Sequence, residues 1–151
     1  MATTNGDTTV LNTLIATLFD SIDGYEKSAA DVRDPDLAGK FTRRAEERRN
    51  AVTGLQHAVR AAGGSPDDDG SIAGAAHRMF VNLKTAVTGS DDKALVNEIE
   101  RGEDYLKEKF EAALGNADLS ATARTAVQTA WSSVRAGHDE MSRLKHSMAA
   151  R

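Results

Sequence analysis

Leu11-Asn12-Thr13-Leu14-Ile15-Ala16-Thr17-Leu18-Phe19-Asp20-Ser21-Ile22-Asp23-Gly24-Tyr25, followed after a short interval by Asp34-Pro35, carries the clearest helical signal in the chain. Leu11, Leu14, Ile15, Leu18, Ile22, Tyr25, Ala29 and Val32 recur at steps of three and four. That spacing lines them along one face of a helix several turns long. Asp34-Pro35 then reads as a stop and a restart. The Asp34 carboxylate can cap the next helix, and Pro35 suits a first helical position where no N–H is needed.

Outward from this junction the pattern repeats. Leu37, Phe41, Ala45, Val52, Leu55 and Val59 share one face of a second helix, which Gly63-Gly64-Ser65-Pro66 ends. Ser71 can cap a shorter helix with Ile72, Ala76, Met79, Leu83 and Val87 in register, closed by Thr88-Gly89-Ser90. Asp91 and Asp92 open a third long helix, where acids favour the positive dipole end. Its apolar face is Leu95, Ile99, Leu106, Phe110 and Ala113. After Gly115-Asn116, Asp118 or Ser120 caps a fourth, with Ala123, Val127, Ala130, Trp131, Val134, Met141 and Met148 facing inward.

Four long helices thus alternate with two tight turns and one long middle connection. A helix rising ~1.5 Å per residue reaches about 40 Å over such lengths. The middle segment can therefore travel the length of a bundle, making the second and third long helices parallel. That is the single-crossover topology of ferritin-like folds. The expected class is all-α: a ferritin-like four-helix bundle with a short fifth helix in the long crossover. An up-down bundle with the short helix packed across one end is the alternative. Residues 1–8, polar and rich in Thr, are expected to form a disordered tail, and 9–148 a single domain.

Composition narrows the function classes. The chain has 151 residues, no cysteine and a formal net charge of −4. Thiolate metal sites, disulfides and cysteine nucleophiles are absent, and the acidic balance argues against nucleic-acid binding. No apolar run approaches ~18 residues, so no membrane span is expected. The start lacks a secretory pattern, which makes cytoplasmic location the expectation.

Chemistry is sought among polar residues on apolar faces, because a carboxylate or imidazole inside a bundle is costly unless paired or bound. Glu103 follows Ile99 by four residues and precedes Phe110 by seven, so it faces inward. His138 stands four after Val134 and seven after Trp131, and Arg48 seven after Phe41 and four before Val52. Both therefore face inward as well. Glu26 lies at the edge of the first stripe. Glu47 and Glu100 lie farther off centre. Two readings stay open. Glu26, Glu47, Glu103 and His138 could hold one iron, manganese or zinc ion. Alternatively, Arg48 neutralises Glu103 and Glu26, with His138 completing a structural ion network that Glu100 flanks. A di-metal oxidase centre would need Glu-x-x-His on two helices. Glu47-Arg48-Arg49-Asn50 and Arg135-Ala136-Gly137-His138 each carry half of it, which argues against ferroxidase activity. No catalytic residue is assigned. His57 and His146 read as solvent-facing.

Several segments together carry a resemblance. They are Asp23-Gly24-Tyr25-Glu26, Arg44-Ala45-Glu46-Glu47-Arg48, Gly63-Gly64-Ser65-Pro66, Gly74-Ala75-Ala76-His77-Arg78, Glu100-Arg101-Gly102-Glu103-Asp104 and the late His138. In this order the set resembles a bacterial ferritin-like four-helix-bundle family, the domain of unknown function 2383. The resemblance covers roughly residues 9–147. It implies a ferritin-like fold in a bacterial cytoplasm, without an assigned activity. Relatives of the fold store iron, oxidise it or scavenge peroxide, which suggests a stress-associated role by analogy at the level of fold. The expected partner is a second copy of the chain in a homodimer. A structural or protein-interaction module is the alternative to a metal-binding protein.

Overall fold

The computed structural model describes residues 5–67 and 91–149. Among these, all regular structure is α-helical: α1 (Asn5–Asp31), α2 (Pro35–Ala61), α3 (Asp92–Leu114) and α4 (Ala121–Ala149). The short helix expected over 71–87, with His77, lies outside the described residues. Helix α1 begins at Asn5, inside the stretch expected to be a tail. Asp7 explains the earlier start: it is buried, and its carboxylate accepts the Ser120 N–H at 3.0 Å, tying this turn to the entry of α4.

Local chemistry sets the helix ends. Asp34 is the N-cap of α2, accepting the Asp36 N–H at 2.9 Å, with Pro35 directly after it. Asp91 caps α3 through the Lys93 N–H at 3.0 Å. Of the two caps open for α4, Ser120 serves: its hydroxyl accepts from the Ala123 N–H at 3.1 Å. The Arg124 guanidinium donates to the Leu114 and Asn116 carbonyls, covering acceptors that the end of α3 leaves free.

Three cross-links between helix ends fix the topology. The Asn12 amide donates to the Ser65 carbonyl and its oxygen accepts the Asp67 N–H, so α2 ends beside the start of α1. At the other end, the Asp92 carboxylate accepts the Arg33 and Asp34 N–H groups at 2.8 and 3.0 Å, so α3 starts beside the α1–α2 turn. The Asp7–Ser120 bond sets the starts of α1 and α4 side by side. Helices α2 and α3 are therefore parallel, as are α1 and α4. The chain leaves α2 at one end of the bundle and enters α3 at the other. This is the single-crossover arrangement, and the up-down alternative is excluded.

Apart from Ala16, which packs against Tyr105, the core falls into two clusters. One gathers Leu11 to Ile22 of α1 with Ala51–Val59, Leu106–Ala113 and Ala123–Val134. The other gathers Tyr25, Leu37, Phe41, Ala45, Val96, Ile99, Met141 and Met148. Between them, on the inward faces of three helices, stand Arg48, Glu103 and Gly137. Trp131, read as inward, is only partly buried and stacks on Phe110 with ring centroids 6.0 Å apart. His57 and His146 are exposed, as expected.

Removing the α2 cap with Asp34→Ala should cost about 1 kcal/mol. Thermal unfolding would register this as a melting point lower by a few degrees, with helix content unchanged.

Candidate functional site

The level between the two apolar clusters is built from one residue of each helix. Arg48, on α2, is 0% exposed and Glu103, on α3, is 2% exposed. Arg48 Nη2 donates to Glu103 Oε1 at 2.9 Å and Oε2 at 2.8 Å. From α1, the Tyr25 hydroxyl donates a short hydrogen bond to Glu103 Oε2, and the Tyr25 ring lies 5.7 Å from the Arg48 guanidinium carbon. From α4 comes Gly137. A Cβ there would collide with Arg48 Nη2 and stand 3.3 Å from the guanidinium carbon. The missing side chain is the space the guanidinium fills.

Burial and charge act together within this layer. Burial first, and then the adjacent Glu103 carboxylate, push the Tyr25 phenol well above its ordinary value of 10.0, against the opposing pull of Arg48. Arg48 Nε and Nη1 are buried without an acceptor among the described residues. Each such orphan donor costs about 1–3 kcal/mol, which offsets part of what the pair's hydrogen bonds contribute.

The residues expected to hold a metal together do not converge. Glu26 is exposed and pairs with Arg49 across the α1–α2 surface. Glu47 is partly exposed and pairs with Arg44, which also donates to Glu140 at 2.9 Å. Glu103 is committed to Arg48 and Tyr25. Of the structural network, the Arg48–Glu103 half is realised. Glu26 is not its member, and His138 bonds elsewhere.

His138 belongs to a second neighbourhood, on the seam between α3 and α4. Its Nε2 lies 2.7 Å from Asp104 Oδ1, and its Nδ1 lies 3.4 Å from Asp139 Oδ1. Glu100 sits one turn before Asp104 and is buried, with Lys145 Nζ 3.3 Å from its Oε1. Ligand atoms of Glu100, Asp104 and His138 all lie within 4.8 Å of one another, the one such group among the described residues. Sequence reasoning missed Asp104. The available signal was Glu100 and Asp104 at i and i+4, which share a helix face. Tyr25 was read only as apolar, and Gly137 was not singled out.

The family described as Domain of unknown function (DUF2383) matches over residues 7–116. No curated protein sequence matches. Among solved structures, the chain is similar to a dodecameric thioferritin, the bacterioferritin-related protein from Bacteroides fragilis. The TM-score is 0.79 at 15% identity, covering 99% of this chain and 89% of that one. At that identity the likeness bears on the fold, which is ferritin-like.

Two outcomes test the central layer. Gly54 on α2 is exposed, and a methyl placed there would meet nothing within 4 Å, so Gly54→Ala should stabilise by up to about 1 kcal/mol. Gly137→Ala should do the opposite despite the same helix propensity gain, because it forces Arg48 off Glu103. Paired denaturant unfolding curves give both signs. In a Tyr105→Phe background, an absorbance titration should show no Tyr25 ionisation near its ordinary value. Since the folded value is raised, this contribution to stability is present in full below pH 10.0 and lost as pH rises towards the folded value.

Proposed function

Given that the chain belongs to the family described as Domain of unknown function (DUF2383), we propose that it is a ferritin-like bundle binding one divalent transition-metal ion on the α3–α4 seam. Glu100, Asp104 and His138 are the ligands. The observation that carries this reading is the convergence of two carboxylates and an imidazole within 4.8 Å. Oxygen and imidazole donors suit iron, manganese or zinc.

Asp139 adds independent support. Metal-bound histidines commonly give their second ring N–H to a carboxylate, which fixes the ring and its tautomer. Asp139 Oδ1 stands at that position, 3.4 Å from Nδ1, while Nε2 faces Asp104. Glu100, Asp104 and Asp139 together outweigh the Lys145 ammonium, so the seam attracts a cation. Binding costs the release of Lys145 from Glu100 and the opening of the Asp104–His138 contact. Three protein ligands at a partly exposed site leave further coordination positions to water. Uptake weakens towards acid, because the ligands must bind the ion deprotonated.

A second reading rests on the Arg48–Glu103–Tyr25 layer: a structural or protein-interaction module whose buried polar network serves the fold alone. Metal uptake separates the two. Metal-free protein titrated with Mn(II) or Zn(II), or with Fe(II) under anaerobic conditions, should take up one ion per chain. His138→Ala should abolish uptake, and Asp139→Asn should weaken it roughly 10–100-fold. Sub-stoichiometric uptake by the wild type overturns the metal reading and leaves the module, and unchanged affinity in His138→Ala overturns the α3–α4 seam as the metal's site.

Self-association as a homodimer belongs to the same proposal. The similar solved protein is described as dodecameric, which supports assembly in bundles of this shape. Light scattering across micromolar concentrations decides it, and a strict monomer throughout counts against it. Among the described residues no helix is long and apolar enough to cross a membrane.

A further inference from the structure

Ferritin-like metal centres take a carboxylate from each of two helices and Glu-x-x-His from each of the other two, all projecting inward. At the inward polar level of this bundle the chain offers a phenol from α1 (Tyr25), a guanidinium from α2 (Arg48), a carboxylate from α3 (Glu103) and, at Gly137 of α4, no side chain. That donor set does not fit a metal. Its single carboxylate already accepts from both Arg48 and Tyr25. A guanidinium has no lone pair to give and stays cationic at any accessible pH.

We infer that the centre of this bundle carries its cation on its own chain: the Arg48 guanidinium supplies the positive charge that a metal supplies in ferritin-like centres, in a recess that Gly137 keeps open. Two independent observations meet here. One is charge: Arg48 and Glu103 are a buried pair of opposite sign, with the Tyr25 phenol donating to Oε2 of the same carboxylate. The other is space: a methyl at Gly137 would overlap Nη2. A flexible exposed arginine would yield to such a methyl. Arg48 is enclosed and tied to Glu103, so it yields only by breaking the pair. The Arg48–Glu103 charges balance without any exogenous ion, and the two Arg48 donors left without an acceptor are N–H groups that a cation cannot satisfy, so a metal that binds this chain must do so elsewhere.

The test is chemical rescue. Arg48→Ala should lower the melting temperature and leave a recess lined by Glu103, Tyr25 and Gly137. Ethylguanidinium at low millimolar concentration should raise the melting temperature of this variant by a few degrees, by mass action on the folded state. The neutral isostere ethylurea should not, and the rise should vanish in Arg48→Ala/Glu103→Gln. Equal effects of both compounds, or none from either, overturn the inference. Should Arg48→Ala fail to fold, Arg48→Lys serves: it keeps the charge without the planar fork, and must tolerate Gly137→Ala better than Arg48 does. An Arg48→Lys protein hit as hard by Gly137→Ala as the wild type overturns the inference. A third arm uses His138→Ala, where metal uptake that is lost on adding Glu103→Gln would place an ion at the centre after all. The rescue involves no metal, so its failure and the failure of the seam site are separate results.

Discussion

The Arg48–Glu103 pair imposes its terms on everything around it. Two charges removed from water lose several kcal/mol of solvation each, and only close geometry and further hydrogen bonds recover it. The pair therefore dictates what each facing helix supplies at that level. Helix α1 must bring a donor on an otherwise apolar face, and Tyr25 does so while its ring still packs against Phe41. Helix α4 must bring nothing larger than hydrogen, and Gly137 does. The apolar core parts into two clusters on either side of this layer.

Such a layer is a poor source of stability, since well-packed apolar side chains often do as well or better. What it supplies is register. A helix shifted by a single residue past its neighbours would leave a buried charge facing hydrocarbon, a penalty larger than the loss of one apolar contact. The bundle's apolar faces, rich in Leu, Val and Ala, would otherwise tolerate sliding. Cross-links at the ends hold the same alignment from outside: Asp92 on the Arg33–Asp34 turn, Asn12 on Ser65 and Asp67, and Asp7 on Ser120.

Much of the fold was legible in the sequence because it rests on local rules. Helix stripes, the Asp34-Pro35 restart, the Gly-Gly stop and a middle connection long enough to cross the bundle all follow from spacing and turn chemistry. Arg48 and Glu103 were legible too, since charges at the centre of an apolar stripe must meet something. What spacing does not give is reach across helices. Glu26 was placed at the edge of the first stripe, where a side chain can turn either way, and its carboxylate turned outward to Arg49. Glu100 was read as peripheral on its own helix, yet the flank of α4 bearing His138 and Lys145 covers it. Tyr25 and Gly137 acquire their roles only from Arg48, a residue on another helix.

The central layer and the seam are neighbours in sequence as well as in space, and helical geometry explains how they stay distinct. Glu103 and Asp104 are consecutive, as are Gly137 and His138. Consecutive residues on a helix diverge by about 100°, so when Glu103 and Gly137 face the centre, Asp104 and His138 face the gap between α3 and α4. Glu100, one turn before Asp104, joins them there. One phase of each helix thus closes the interior with the chain's own cation, and the next gathers oxygen and nitrogen donors at the rim. A bundle that kept its carboxylates inward would have to load an ion to satisfy its core. Here the charge of the core is balanced at folding by Arg48 and Glu103, so the donors at the rim are free of that task.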